Sequence, residues 1–199
     1  MSHGQCCAPQ SRKTLINTHL PEMTVDVFHN NEIKSVHLSD YRGKWVILFF
    51  YPADFTFVCP TELEEVAELY PAFQDMNTEV ISVSTDTAFV HKAWHDTSPS
   101  IKKVGYPMAA DPTGALCKAM GTYIEAEGLS YRASVIINPD GIIKAYEMHD
   151  NSIGRSGAEL LRKMQAAQYV NDHAGQVCPA KWKPGADTLE PGVDLVGKI

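Results

Sequence analysis

Five cysteines stand at positions 6, 7, 59, 117 and 178, and theirs is the chemistry that the sequence most needs to explain. Their number is odd and their spacing wide, which favours a thiol with a function over a framework of structural disulfides. Nothing fits a zinc site: the only close pair is the vicinal Cys6-Cys7, and the eight histidines do not take finger-like spacing beside a cysteine pair. His91 and His95 are four apart on an expected helix, but no Glu follows His91 and no third ligand is evident. Solvent-facing or core roles are expected for both. No metal and no bound cofactor is implied.

Cysteine attacks as the thiolate, so a working cysteine needs surroundings that favour the anion. Cys59 has such surroundings in its own neighbourhood. Before it, Val46-Ile-Leu-Phe-Phe50 is a continuous apolar run, the mark of a strand covered on both faces. After it, Pro60 suits a first helical position, and Leu63, Val66, Ala67, Tyr70 and Phe73 share one face of a helix over Thr61 to Gln74. Cys59 is therefore expected at a helix N-terminus, where free amides and the dipole favour negative charge. It also falls at the C-terminal end of a strand, where ligands bind in open α/β sheets. On these residues alone a small buried filler remains open as well.

The elements that would position Cys59 alternate along the chain. Val80 to Ser84 reads as a second strand, followed by a helix over Thr87 to Asp96. Asp111-Pro-Thr-Gly114 is a turn before a short helix. Ser134 to Ile137 and Ile142 to Tyr146 flank Asn138-Pro-Asp-Gly141 as a hairpin. Ser156-Gly-Ala-Glu159 is a capping box opening the last long helix, with Leu160, Met164 and Ala167 on its apolar stripe. Gly, Pro, Lys and Trp dominate from Ala174 onward, giving an irregular arm that carries Cys178. Alternating strands and helices with one hairpin imply an α/β sheet covered on both faces.

The bulk composition sets the class. The 199 residues suit one domain with an extension, and 44% hydrophobic with 21% charged residues suffices for a packed core. Lys and Arg total 17 against 24 Asp and Glu, a net charge of −7, which argues against nucleic acid and for small-molecule or protein partners. The longest apolar run, Trp45 to Tyr51, falls well short of the roughly 20 residues that cross a bilayer. Met1 to Pro9 has no apolar core of a secretory signal, so a cytoplasmic location without a membrane partner is expected.

Pro52-Ala-Asp-Phe-Thr56-Phe-Val-Cys59 has the pattern Pro-x3-Thr-x2-Cys, and Val177-Cys-Pro-Ala-Lys-Trp182 stands near the far end. With these motifs the chain resembles the peroxiredoxin family in its typical two-cysteine form, and within it the bacterial alkyl hydroperoxide reductase C subunits. The resemblance runs from about Leu15 to Ile199. It implies a thioredoxin-like α/β fold with a central mixed sheet, helices on both faces and an irregular C-terminal arm. A loose tail is expected over residues 1–14, a peroxidase domain over 15–172 and the arm over 173–199.

By that resemblance Cys59 is the peroxidatic cysteine, which attacks a hydroperoxide and becomes a sulfenic acid. Thr56 orients peroxide and thiolate through its hydroxyl, Pro52 shields the site from water, Arg132 pairs with the thiolate, and Glu62 holds Arg132. Cys178 of a partner subunit is the resolving cysteine, capturing the sulfenic acid before further oxidation. Read without the resemblance, Thr56 is a turn residue, Pro52 a strand terminator, Arg132 a surface cation and Glu62 a complement to the helix dipole.

The implied partners are a hydroperoxide substrate and a disulfide reductase, either a flavoprotein using NADH or thioredoxin. The implied assembly is a homodimer built into a decamer of five dimers. A holdase chaperone or redox-relay scaffold is the alternative function. A thioredoxin-like carrier would need a second cysteine in Cys59-Pro-Thr-Glu62, and a cysteine hydrolase a histidine tied to Cys59. Cys117, beside Leu116 and near Met120, is expected in the core, Trp94 in core or interface, and Cys6 and Cys7 as a tail pair without a role, with a metal-trapping or acylated site as the alternative. Glu127-Gly-Leu-Ser130 replaces the family's Gly-Gly-Leu-Gly and the terminal Gly-Lys-Ile199 lacks Tyr-Phe, so relative resistance to sulfinic inactivation is expected.

Overall fold

A computed structural model describes residues 14–198; Cys6, Cys7 and nearly all of the expected 1–14 tail lie outside the described residues. Along the chain run β1 (Thr24–His29), β2 (Glu32–His37), β3 (Trp45–Phe50), α1 (Cys59–Asp75), β4 (Thr78–Ser84), α2 (Ala88–Thr97) and β5 (Met108–Ala110). They continue with α3 (Ala115–Ala119), β6 (Tyr123–Ile124), β7 (Leu129–Ser130), β8 (Arg132–Ile137), β9 (Ile143–His149) and α4 (Gly157–Asp172). One seven-stranded sheet has the order β2-β1-β5-β4-β3-β8-β9, and β6 pairs with β7 apart from it. The sheet is mixed: β3, β4 and β5 are parallel, while β1 and β8 join them antiparallel.

The uninterrupted apolar run of β3 is explained by its place near the middle of the sheet, where every one of its residues is buried. Successive side chains point to opposite faces. Ile47 and Phe49 enter a core with Leu63, Val66 and Phe73 of α1, Trp94 of α2, and Leu160 and Met164 of α4. Val46, Leu48 and Phe50 enter the opposite core with Val25 and Val27 of β1 and Leu116 and Cys117 of α3. Cys117 is buried as expected, and burial with the nearby Asp111 carboxylate pushes its thiol up to about 12, leaving it inert.

Two features depart from the sequence reading. The β1–β2 hairpin turns on Asn30 and Asn31, both left-handed at φ 51° and 63°, as a two-residue turn matched to strand twist requires. Its outer strand β2 is a mostly exposed sheet edge and so shows no alternating pattern. In α4, the Ser156 hydroxyl accepts from the Glu159 amide, but the Glu159 carboxylate turns to Arg162 instead of closing a capping box.

Gly114 ends the expected Asp111–Gly114 turn, with its amide on the Asp111 carbonyl at 2.8 Å. Its φ is +66°, and a Cβ there would lie 2.4 Å from the Tyr123 ring. Gly121 is also left-handed, at +70°, but faces open space. Gly114→Ala should therefore cost more than about 1 kcal/mol in urea unfolding, and clearly more than Gly121→Ala. Equal losses would show that the ring contact is without consequence.

Candidate active site

The loop from Tyr51 to Val58 links the end of β3 to α1. Cys59 lies in the first turn of α1, with Val58 as N-cap and Pro60 next, so the helix starts one residue earlier than the sequence suggests. Antiparallel pairing of β3 with β8 sets Phe50 opposite Ala133, which brings Arg132 to the mouth of this loop. Arg132 is buried there, and its Nη1 donates to the Cys59 sulfur at 3.3 Å. Glu62 lies one helical turn beyond Cys59 and shares its face. The same Arg132 Nη1 donates to Glu62 Oε2 at 2.7 Å, and Arg132 Nε to the Asn151 carbonyl at 2.9 Å.

A second arginine completes the cluster. Arg155, in the loop before α4, gives Glu62 Oε1 its backbone amide at 2.6 Å and its Nε at 2.9 Å. Its Nη2 reaches Glu62 Oε2 at 3.1 Å, and its Nη1 the Ala133 carbonyl at 2.6 Å. The guanidinium sits 3.5 Å from the centre of the Phe49 ring. Burial alone would raise the Glu62 carboxyl, but the Arg155 hydrogen bonds and the two positive charges hold it below the usual carboxylate range.

Cys59, Arg132 and Glu62 thus lie together, the arrangement that the resemblance implies. Arg155 escaped it. Its only local sign is its place in Gly154-Arg155-Ser156, just before a helix cap, and its partner Glu62 is 93 positions away. Pro52 is buried at the base of the loop, and Thr56 is half-buried three residues before Cys59. The Thr56 hydroxyl donates to the Ala53 carbonyl at 2.9 Å, so its proton is directed away from the thiol. In this arrangement the hydroxyl makes no donation to the Cys59 sulfur, and its oxygen keeps its acceptor capacity. Phe55 between them is left-handed at φ 55°.

Cys178 lies elsewhere, half-buried on the arm with its sulfur 4.0 Å from the Ala166 carbonyl of α4. Trp182 anchors this stretch: it is buried against Tyr169, and its carbonyl accepts from Arg162 Nη1 at 2.9 Å. Burial raises the Cys178 thiol above its ordinary value, with the Arg162 charge opposing. Among the described residues, no group of three or more His, Cys, Asp or Glu could hold a metal ion.

The lowered Glu62 carboxyl has a consequence in acid. Its folded value is depressed, so its contribution is complete above the unfolded carboxylate value of about 4.3 and is lost as pH falls through the folded one. Glu62→Gln should lose about 3 kcal/mol near neutrality by stranding buried charge. Between roughly pH 6 and pH 3 its urea-unfolding free energy should fall less steeply than that of the unsubstituted chain. Parallel slopes would remove Glu62 from the acid response.

Comparisons with known proteins agree with this geometry. Residues 16–146 match the model of the AhpC/TSA family, and residues 166–198 that of the C-terminal domain of 1-Cys peroxiredoxin. Alkyl hydroperoxide reductase C of Salmonella typhimurium is 52% identical over 186 residues, covering 94% of this chain and all of the relative. The protein of the same name from Staphylococcus epidermidis is 46% identical over 188 residues, again covering 94% of this chain and all of the relative. Among solved structures, Enterococcus faecalis AhpC superposes with a TM-score of 0.82 at 50% identity, covering 84% of this chain and 100% of that one. The reduced 2-Cys peroxiredoxin of Plasmodium vivax gives 0.87 at 31% identity, covering 92% and 96%. The mixed sheet with helices on both faces is thus the thioredoxin-like fold of the peroxiredoxins, and the chain belongs to the AhpC/TSA family as a thiol-dependent peroxidase.

Proposed function

We propose that Cys59 is the peroxidatic cysteine and that Cys178 of a partner subunit resolves it. The observation that supports this most directly is the Arg132 nitrogen 3.3 Å from the Cys59 sulfur and 2.7 Å from Glu62. Two arginines and one glutamate leave the buried cluster with one positive charge, and a thiolate at Cys59 balances it. That thiolate attacks the nearer oxygen of a hydroperoxide, the O–O bond breaks, and the departing oxygen takes a proton to leave as alcohol or water. The sulfur is left as sulfenic acid. Charge moves from sulfur to the leaving oxygen along this path, and Arg132 serves both ends. Glu62 holds Arg132 in place, the Thr56 oxygen accepts a hydrogen bond from the peroxide, and Pro52 keeps water out.

Resolution follows when the partner's thiol attacks the sulfenic sulfur, forming the disulfide and releasing water. Cys59 is fully enclosed, so the first turn of α1 must unwind for the two Cα atoms to come within about 4.4–6.8 Å. Two electrons from a disulfide reductase, a flavoprotein using NADH or else thioredoxin, then restore both thiols. Hydrogen peroxide and organic hydroperoxides are the substrates, in keeping with the relatives' name.

The open edge of β9 favours a homodimer, and the exposed Phe55, Phe57 and Phe89 favour its further association into a decamer. Residues 15–172 form the peroxidase domain and 173–199 the arm. Glu127-Gly-Leu-Ser130 supports resistance to sulfinic inactivation. The cytoplasm is the location, because the cycle needs reduced thiols; among the described residues no helix is long and apolar enough to cross a membrane.

Reductant-coupled peroxide consumption tests the cycle. Cys59→Ser should abolish it, and Cys178→Ser should stop turnover while still reducing one equivalent of peroxide. A peroxide-induced dimer band should appear on non-reducing gels only with both cysteines present. Arg132→Gln should slow peroxide consumption about a hundredfold. Normal turnover by Cys59→Ser would sink the assignment.

A further inference from the structure

The loop that delivers Thr56 and Cys59 is held from behind by a buried polar network outside the proposed catalytic set. Asp54 is buried at its centre. Its Oδ1 accepts from the Tyr51 hydroxyl at 2.7 Å, and its Oδ2 lies 2.8 Å from Nδ1 of His91, a fully buried residue of α2. The other ring nitrogen, Nε2, is 3.1 Å from the Ala109 carbonyl of β5. A carbonyl only accepts, so Nε2 carries its proton and the His91–Asp54 contact shares another. The Asp54 amide donates to Asp86 at 2.8 Å, and Asp86 in turn accepts from the Ser84 hydroxyl at 2.7 Å. The loop is thereby tied to β4, β5 and α2 through one residue.

Phe55 comes next, and its left-handed φ of 55° is one that a bulky side chain keeps only when both flanks are fixed. Asp54 fixes the flank before it. The Thr56 hydroxyl on the Ala53 carbonyl fixes the flank after it, and the Phe55 ring rests 5.9 Å from the Trp94 ring, one turn of α2 beyond His91. The direction of the chain into Thr56 therefore depends on how Asp54 is held.

We infer that Asp54 and His91 are positioning residues for the peroxide reaction: they fix the left-handed turn at Phe55 and so aim Thr56 at the peroxide beside Cys59. This rests on the proposed role of Cys59. The pair touches no reacting atom. A fully satisfied buried network of this kind specifies one geometry, and an apolar replacement would fill the space without directing the loop.

The test uses the full-length chain and compares two reactions of Cys59, oxidation by hydrogen peroxide and alkylation by iodoacetamide. Alkylation needs the nucleophile but not an oriented peroxide. Asp54→Ala should lower the second-order rate with peroxide at least about tenfold while the alkylation rate does not fall. Asp54→Asn can keep every hydrogen bond, its amide donating to a His91 whose Nδ1 accepts, and should recover most of the peroxide rate. His91→Gln, which can reach Asp54 or Ala109 but not both, should show the same split and carries the comparison if Asp54→Ala does not fold. Equal loss in both reactions, a peroxide rate within about threefold of the unsubstituted chain, or an Asn variant as slow as the Ala variant would overturn the proposal. Peroxide consumption persisting in Cys59→Ser would instead remove the reading on which it rests.

Discussion

Glu62 lies between Arg132 and Arg155, and three elements remote in sequence meet on its carboxylate. Each oxygen takes two hydrogen bonds: Oε1 the amide and Nε of Arg155, Oε2 one nitrogen from each guanidinium. A buried ion without partners costs several kcal/mol, so α1, the start of β8 and the loop before α4 are mutually dependent here. Removing the carboxylate would leave two guanidiniums facing each other in the interior. Whatever Arg132 does for Cys59, it does from a position that Glu62 and the Asn151 carbonyl define.

That rigidity stands against the motion that the proposed cycle demands. Cys59 is sealed in the core, yet disulfide closure requires its turn to open. The local bonds that resist opening are the Thr61 amide and hydroxyl and the Glu62 amide on the Val58 carbonyl, and Arg132 donating to the sulfur. None belongs to the Glu62 cluster's contacts with Arg155. The residues before Glu62 can therefore unwind while the bonds between Glu62 and Arg155 stay intact. Phe55 adds to this balance, because a bulky left-handed residue stores on the order of 1–3 kcal/mol that a loosened loop would release.

What the sequence disclosed was governed by how local each signal is. The β3 run, the apolar face of α1 and the Ser156 cap are written within a few residues of one another, and all three are found in the fold. The short strand β5 and the exposed edge β2 carry no periodicity because neither has one face buried and one solvated. The same rule separates the site residues. Cys59 and Thr56 share a motif, whereas Arg155 meets Glu62, and Asp54 meets His91, only through the fold. The Thr56 proton shows the opposite case, in which a motif gives the residue but not its bond: the hydroxyl caps its own loop on Ala53.

The positions of the two proposed redox cysteines support a partner between chains. Cys59 sits one turn of α1 from Glu62, which Arg155 grips just before the N-terminal end of α4. Cys178 lies against Ala166, nine residues along the same helix from Gly157, which at 1.5 Å per residue is about 14 Å further on. That exceeds disulfide reach roughly twofold. Within one chain the arm would have to slide along α4, breaking the Arg162 bond to Trp182 and the pairing of Val177 with Leu189.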